Sequence, residues 1–292
     1  MIKWGKMLET RKIKLILKRQ PTIEGAGVRL NRLFGHNEAP ELDPFLMLDD
    51  FRSDVPEDYL KGFPWHPHRG IETITYMLKG NVEHGDSLGN QGMISSGDIQ
   101  WMTAGSGIIH QEMPKGDRNG AMHGFQFWAN LPASQKMMNP RYRDITADQV
   151  PKIKLPDNIQ VKIIAGHLGG KKGPVDDIVI NPQFFDCYVP EGKTFTHPTE
   201  PSHTAFIYVI GGKGITNSTP IENGDLILFE NGNLISVTAT DEPVSFLMLS
   251  GKPLNEPVAW RGPIVMNTQE ELETAFKEYQ DGTFIKSKST DQ

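Results

Sequence analysis

The sequence predicts an all-β protein made of two similar halves and closed by a short C-terminal helix. Three observations carry this. Short runs rich in Ile, Val, Thr, Phe and Tyr recur at 71–78, 98–102, 124–128, 160–165, 206–210, 226–229 and 245–249, with turn residues between them. Strands of that length, separated by Gly and Pro, belong to sandwiches and barrels. The chain also repeats itself in diluted form. Tyr76-Met77-Leu78-Lys79-Gly80 is echoed by Tyr208-Val209-Ile210-Gly211-Gly212, and Gly97-Asp98-Ile99 by Gly224-Asp225-Leu226. Finally, helix signals concentrate at one place. Thr268 can cap a helix with Glu271 three residues on, and Leu272, Ala275, Phe276 and Tyr279 then share a face before Gly282 stops it.

Taken in order, the N-terminal segment holds Lys3, Lys6, Arg11, Lys12, Lys14, Lys18 and Arg19 against Glu9. It reads as a half-exposed strand over Ile13, Leu15 and Leu17 rather than as a targeting anchor, with lysine guarding a sheet edge. The repeat places one β-domain at 1–140 and a second at 141–292, divided in the Pro-, Lys- and Asp-rich stretch that begins at 140. The polar tail, 286–292, is expected to fray.

Bulk properties exclude several classes. A net charge of -6 and a pI near 5.9 give no basis for direct nucleic-acid binding. No apolar run reaches the ~18 residues of a membrane-spanning helix. A single cysteine, Cys187, rules out an intrachain disulfide and sits in an apolar run that reads as core. A monomer in a reducing compartment, cytoplasmic or nuclear, is expected.

The chemistry gathers in two clusters, His66-Pro67-His68 and His110-Gln111-Glu112. Residues two apart in a strand point to one face. Two such strands can therefore aim three imidazoles and a carboxylate at one point, a donor set suited to a mid-series divalent transition metal. Set against this, a lone strand histidine is commonly an ordinary core or surface residue. Four coordinating side chains in two same-face pairs are harder to explain that way. His123 is open between supporting a ligand and plain strand bonding. His36, His84 and His167 read as solvent-facing. Aligning the halves puts Pro198 and Glu200 where His66 and His68 stand, and His197 and His203 do not rebuild the pattern.

Gly62, His66, His68, Glu72 and Gly80 resemble the first signature of the cupin superfamily, and Gly97, Gly105 and His110 a loosened second one. Three longer stretches resemble the pirin family of bicupins: 43–51, 66–70 and 100–114, with a further match at 263–268. The resemblance implies two tandem cupin (jelly-roll) β-barrels. It implies iron(II) held by His66, His68, His110 and Glu112, although the donors alone admit other divalent transition metals. In the pirin pattern Glu72 is a supporting residue or a partner of Arg69. The family likeness further implies quercetin 2,3-dioxygenase chemistry on a flavonol or related enol with O2, Glu112 acting as base. Phe63, Trp65, Trp101 and Met102 would then line a slot for the flat substrate. A different expectation is a non-enzymatic, redox-responsive iron protein that binds a transcription factor or a metabolic enzyme.

Overall fold

The computed structural model describes residues 9–286, so Lys3, Lys6 and the tail beyond Lys286 lie outside the described residues. The chain is mostly strand and falls into two compact units. One comprises Gln20–Gln149 and the chain from Leu254 onward; the other comprises Val150–Pro253 and the chain up to Arg19. The expected division into 1–140 and 141–292 therefore differs at both termini. Hydrogen bonding between distant segments is the reason. Ile13–Lys18 pairs antiparallel with Asp225–Phe229 at the edge of a sheet. The C-terminal helix sends Glu278 to Arg69, which also bridges to Ile264.

In the first of these units, a seven-stranded antiparallel sheet faces a four-stranded one. The larger sheet runs Arg141–Ile145, Ile99–Thr103, Ile71–Lys79, His123–Asn130, Phe45–Asp50, Val28–Phe34 and Gln20–Glu24. The smaller runs Phe63–His68, Ile108–Pro114, Val82–Asp86 and Gln91–Ile94. The sheets close on each other as a jelly roll: Thr75 reaches across to Glu112, and Gln100 to His84. Sequence explains the placing of Phe63–His68. Pro64 and Pro67 supply no backbone N–H, so this strand is confined to an edge, where half its ladder positions need none.

The C-terminal helix, Gln269–Gln280, starts as expected. Thr268 accepts from the Glu271 amide, Glu271 reaches back to Thr268, and Leu272 and Ala275 face inward. Gly282 follows at φ +71°, a left-handed turn that glycine adopts without strain.

The second unit is built on one nine-stranded sheet whose centre is the long pair Thr204–Thr216 and Leu234–Gly251. Its interior is apolar, with Phe185, Cys187, Phe195, Phe246 and Met248 fully buried. Pro198 and Glu200 are exposed there, while His197 is buried, bonded to Gln183 and pushed down to about 4 by burial. The internal repeat is structural. Tyr76 stands opposite Ile99 and Tyr208 opposite Leu226. The Gly97 amide donates to Met77 just as the Gly224 amide donates to Val209.

Candidate metal centre

Three imidazoles converge. His66, His68 and His110 each bring a ring nitrogen to within 4.8 Å of the others. The strand pairing causes this: His110 stands opposite His66, and His68 shares the face of His66 two residues on. At the end of that strand Gly70 turns the chain at φ +78°, and a Cβ there would lie 2.0 Å from the Val265 carbonyl oxygen. No other residue fits. Lys136 fastens the turn: its buried Nζ donates to Gly70 O at 2.9 Å, Asn130 Oδ1 at 2.7 Å and Val265 O at 3.0 Å.

Hydrogen bonds fix the tautomers of two of the rings. His66 Nδ1 lies 2.8 Å from Pro64 O, and His68 Nδ1 lies 3.1 Å from Pro263 O. A carbonyl oxygen can only accept, so both Nδ1 atoms carry the proton and both Nε2 atoms carry a lone pair. Those two Nε2 atoms face each other at 3.1 Å. Burial lowers all three imidazoles from their ordinary value, His68 and His110 strongly, so they are neutral. Two opposed lone pairs repel unless a cation lies between them. His110 supports the same conclusion: it is 1% exposed, and neither ring nitrogen has a hydrogen-bond partner. Buried imidazole nitrogens are seldom left so. The donor set fits a divalent transition metal.

Glu112 is adjacent but stands apart from that group of three. Between the His66–His110 and Phe63–Glu112 pairs the register slips, which offsets Glu112 along the barrel. Its Oε1 is 3.1 Å from Thr75 Oγ1, which is 2.7 Å from Gln126 Oε1. One hydroxyl proton cannot serve both oxygens. The set closes when Glu112 is protonated and donates to Thr75, which donates on to Gln126. This agrees with burial, which lifts the Glu112 carboxyl to about 7.

Several sequence expectations need correction. Glu72 does not pair with Arg69. It accepts from Thr103 at 2.6 Å, whereas Arg69 binds Glu278 and the Phe284 carbonyl. Strand alternation puts Glu72 on the face of Ile71–Lys79 opposite Thr75, away from the site. His84 is not solvent-facing. It is a buried residue of Val82–Asp86, opposite Glu112, with Nε2 3.0 Å from Gln100 Nε2. His123 packs edge-on against Phe125, and its imidazole is held near 4, chiefly by burial. His36 and His167 are exposed.

A cavity of about 620 Å³ opens onto His66, His68 and Glu112. Phe63 and Trp65 line it as expected. Trp101 and Met102 do not: both are buried, and Met102 belongs to a core cluster with Ile71 and Ile108. Sequence reasoning missed the main aromatic wall, Trp128 and Trp260. Trp128 stands edge-on to His68 at 5.1 Å, and Trp260 lies 5.9 Å beyond it. The alternation of Gln126 and Trp128 was the available signal for the first. Trp260 carried none, being more than a hundred residues away in sequence.

Comparison with known proteins accords with this geometry. Residues 27–129 match the pirin family, and residues 184–285 match the pirin C-terminal cupin domain. A pirin-like protein of Caulobacter vibrioides is 43% identical over 279 residues, covering 95% of this chain and 100% of that one. The crystal structure of a quercetin 2,3-dioxygenase from Acinetobacter baumannii matches with a TM-score of 0.86 at 32% identity, covering 94% of this chain and 99% of that one. A bacterial pirin from Escherichia coli, in complex with nickel(II), matches with a TM-score of 0.61 at 22% identity, over 82% and 98% of the two chains, a likeness of fold alone. With both family segments matched, both cupin units formed and the histidines assembled in the first of them, the chain belongs to the pirin family.

Proposed function

We propose that this chain is an iron-dependent dioxygenase that opens the central ring of a flavonol or related planar enol, of the quercetin 2,3-dioxygenase type. The observation that carries the reading is the junction of two features. Neutral imidazole lone pairs converge at one wall of the cavity, and a protonatable carboxyl stands beside them in the same wall. A cavity of about 620 Å³ lies within the ~300–1,000 Å³ of small-molecule sites. The relative from Acinetobacter baumannii bears the name of this activity.

His66, His68 and His110 would hold the metal, with Glu112 as fourth donor. Iron(II), when bound, supplies a Lewis acid for the substrate enol and an electron source for dioxygen. Other divalent ions suit the same donors. The remaining work falls to the chain. Trp128 and Phe63 present flat apolar surfaces that orient the rings and exclude water. Glu112 takes the proton of the substrate's enol hydroxyl onto its carboxylate, and Thr75 and Gln126 keep that carboxyl oriented. Loss of that proton makes the central ring electron-rich, which is what the addition of dioxygen requires.

The test is to load the protein with iron(II) without oxygen, admit oxygen, and follow flavonol loss and carbon monoxide release. Turnover should occur in the unsubstituted protein and be abolished in His66→Ala. Equal rates in the two proteins would rule the reading out.

A further inference from the structure

The inner face of the seven-stranded sheet carries a continuous polar row. Arg32 stands opposite Asp49, Asp49 opposite Gln126, and Gln126 opposite Thr75. Neighbouring strands each contribute one member at the same register, so the row runs straight across the ladder. Apolar residues border it two positions away, as alternation requires: Leu30 beside Arg32, Met47 and Phe51 beside Asp49, Trp128 beside Gln126. The whole row lines the cavity that holds His66, His68 and Glu112. At ~4.8 Å between strands, the steps from Thr75 to Arg32 span roughly 14 Å, about the length of a flat three-ring molecule. One end of the row touches Glu112. The other ends in charge.

That charged end is more than packing needs. Asp49 is 4% exposed, and Arg32 grips its two oxygens with Nε at 2.8 Å and Nη2 at 2.7 Å. Glu24 takes Nη1 at 2.9 Å. A guanidinium has five N–H donors, so this one keeps two for a ligand, and the Asp49 oxygens keep lone pairs. Burying an ion pair is often no better for stability than apolar residues of the same size. Its chemistry also selects a ligand. One cation against two carboxylates leaves the patch net negative, which disfavours an anionic substituent. A neutral hydroxyl can accept from the guanidinium and donate to a carboxylate at once.

We propose that Arg32 and Asp49 set substrate specificity by hydrogen-bonding hydroxyl groups on the pendant ring of the substrate. The inference rests on the flavonol reading above and deepens it.

The test compares two flavonols, one with two hydroxyls on the pendant ring and one with none. Each is titrated against protein loaded with zinc(II), which has no redox chemistry, and read by quenching of tryptophan fluorescence. The dihydroxylated ligand should bind about tenfold tighter, since hydrogen bonds to charged groups are the stronger kind. In the double variant Arg32→Met/Asp49→Leu, which leaves no lone buried charge, the ratio should fall to near one. If that chain does not fold, Arg32→Lys serves instead: it keeps the charge and loses the fork, and the ratio should fall here too. Equal affinities in the unsubstituted protein overturn the proposal, as does an undiminished ratio in whichever variant folds. Flavonol binding without discrimination overturns this proposal alone. No binding of either ligand up to its solubility limit overturns the flavonol reading as well.

Discussion

Replacing His110 with leucine should stabilise the metal-free protein and remove its response to metal. His110 is 1% exposed and leaves both ring nitrogens without partners. Each unpaired buried polar atom costs ~1–3 kcal/mol. Leucine removes both atoms and adds an imperfect fit of under about 1.5 kcal/mol. The net expectation is a variant about 2 kcal/mol more stable without metal. For a unit of this size, ~2–4 °C per kcal/mol gives a rise of about 4–8 °C in Tm. Metal reverses the order. At a free concentration about 1,000 times Kd, it stabilises the unsubstituted protein by ~4.1 kcal/mol and the variant far less. The assay is calorimetry in chelator and in saturating metal. Two units need not melt together, so the transition that moves with metal is the one to follow. A metal-free variant that melts below the unsubstituted protein, or an equal shift of both by metal, would refute this expectation.

Other perturbations follow from the same contacts. In metal-free protein the Glu112 carboxyl is raised to about 7 by burial. A folded pKa above the unfolded one means the native state holds the extra proton, so stability is greatest at low pH and falls between about 4.5 and 7, by ~3 kcal/mol in total. Glu112→Gln should flatten that slope in urea unfolding at stepped pH. Lys136→Met strips one donor from Gly70 O, Val265 O and Asn130 Oδ1. The expected cost is about 3 kcal/mol by calorimetry, with metal affinity weakened ~10–100-fold because His68 loses its support. Thr268→Ala removes the cap of the C-terminal helix and should cost ~1 kcal/mol, read by urea unfolding, with metal content unchanged.

Much of the site was legible because its members are local pairs. His66 with His68, and His110 with Glu112, obey strand alternation, and alternation needs no knowledge of the rest of the chain. The capping box at Thr268 and Glu271 is local in the same way. What escaped was long-range pairing. Arg69 looked like a partner for Glu72, three residues away, but Glu278 lies 209 residues on and competes successfully for it. His84 looked like a loop residue beside Gly85, yet pairing with Gly92 and Glu112 makes it a buried strand residue. Trp101 and Met102 lie a few residues before His110 in sequence, but neither lines the cavity, and that depends on which sheet face the barrel encloses. The register slip that separates Glu112 from the histidine trio has no sequence signature beyond the two prolines of the facing strand.

The two ends of the chain are exchanged between the halves, and this bears on how the protein is made. His68 donates from Nδ1 to the Pro263 carbonyl, and Arg69 is held by Glu278 and Phe284, all about two hundred residues further along the chain. The four side chains of the proposed centre are synthesised well before the groups that hold His68 and Arg69. Metal capture should therefore follow synthesis of residues 263–284, and a nascent chain arrested after residue 149 should bind metal weakly although every donor is present. In that order of assembly, acquiring the ion reports that the chain has been made at least as far as Phe284.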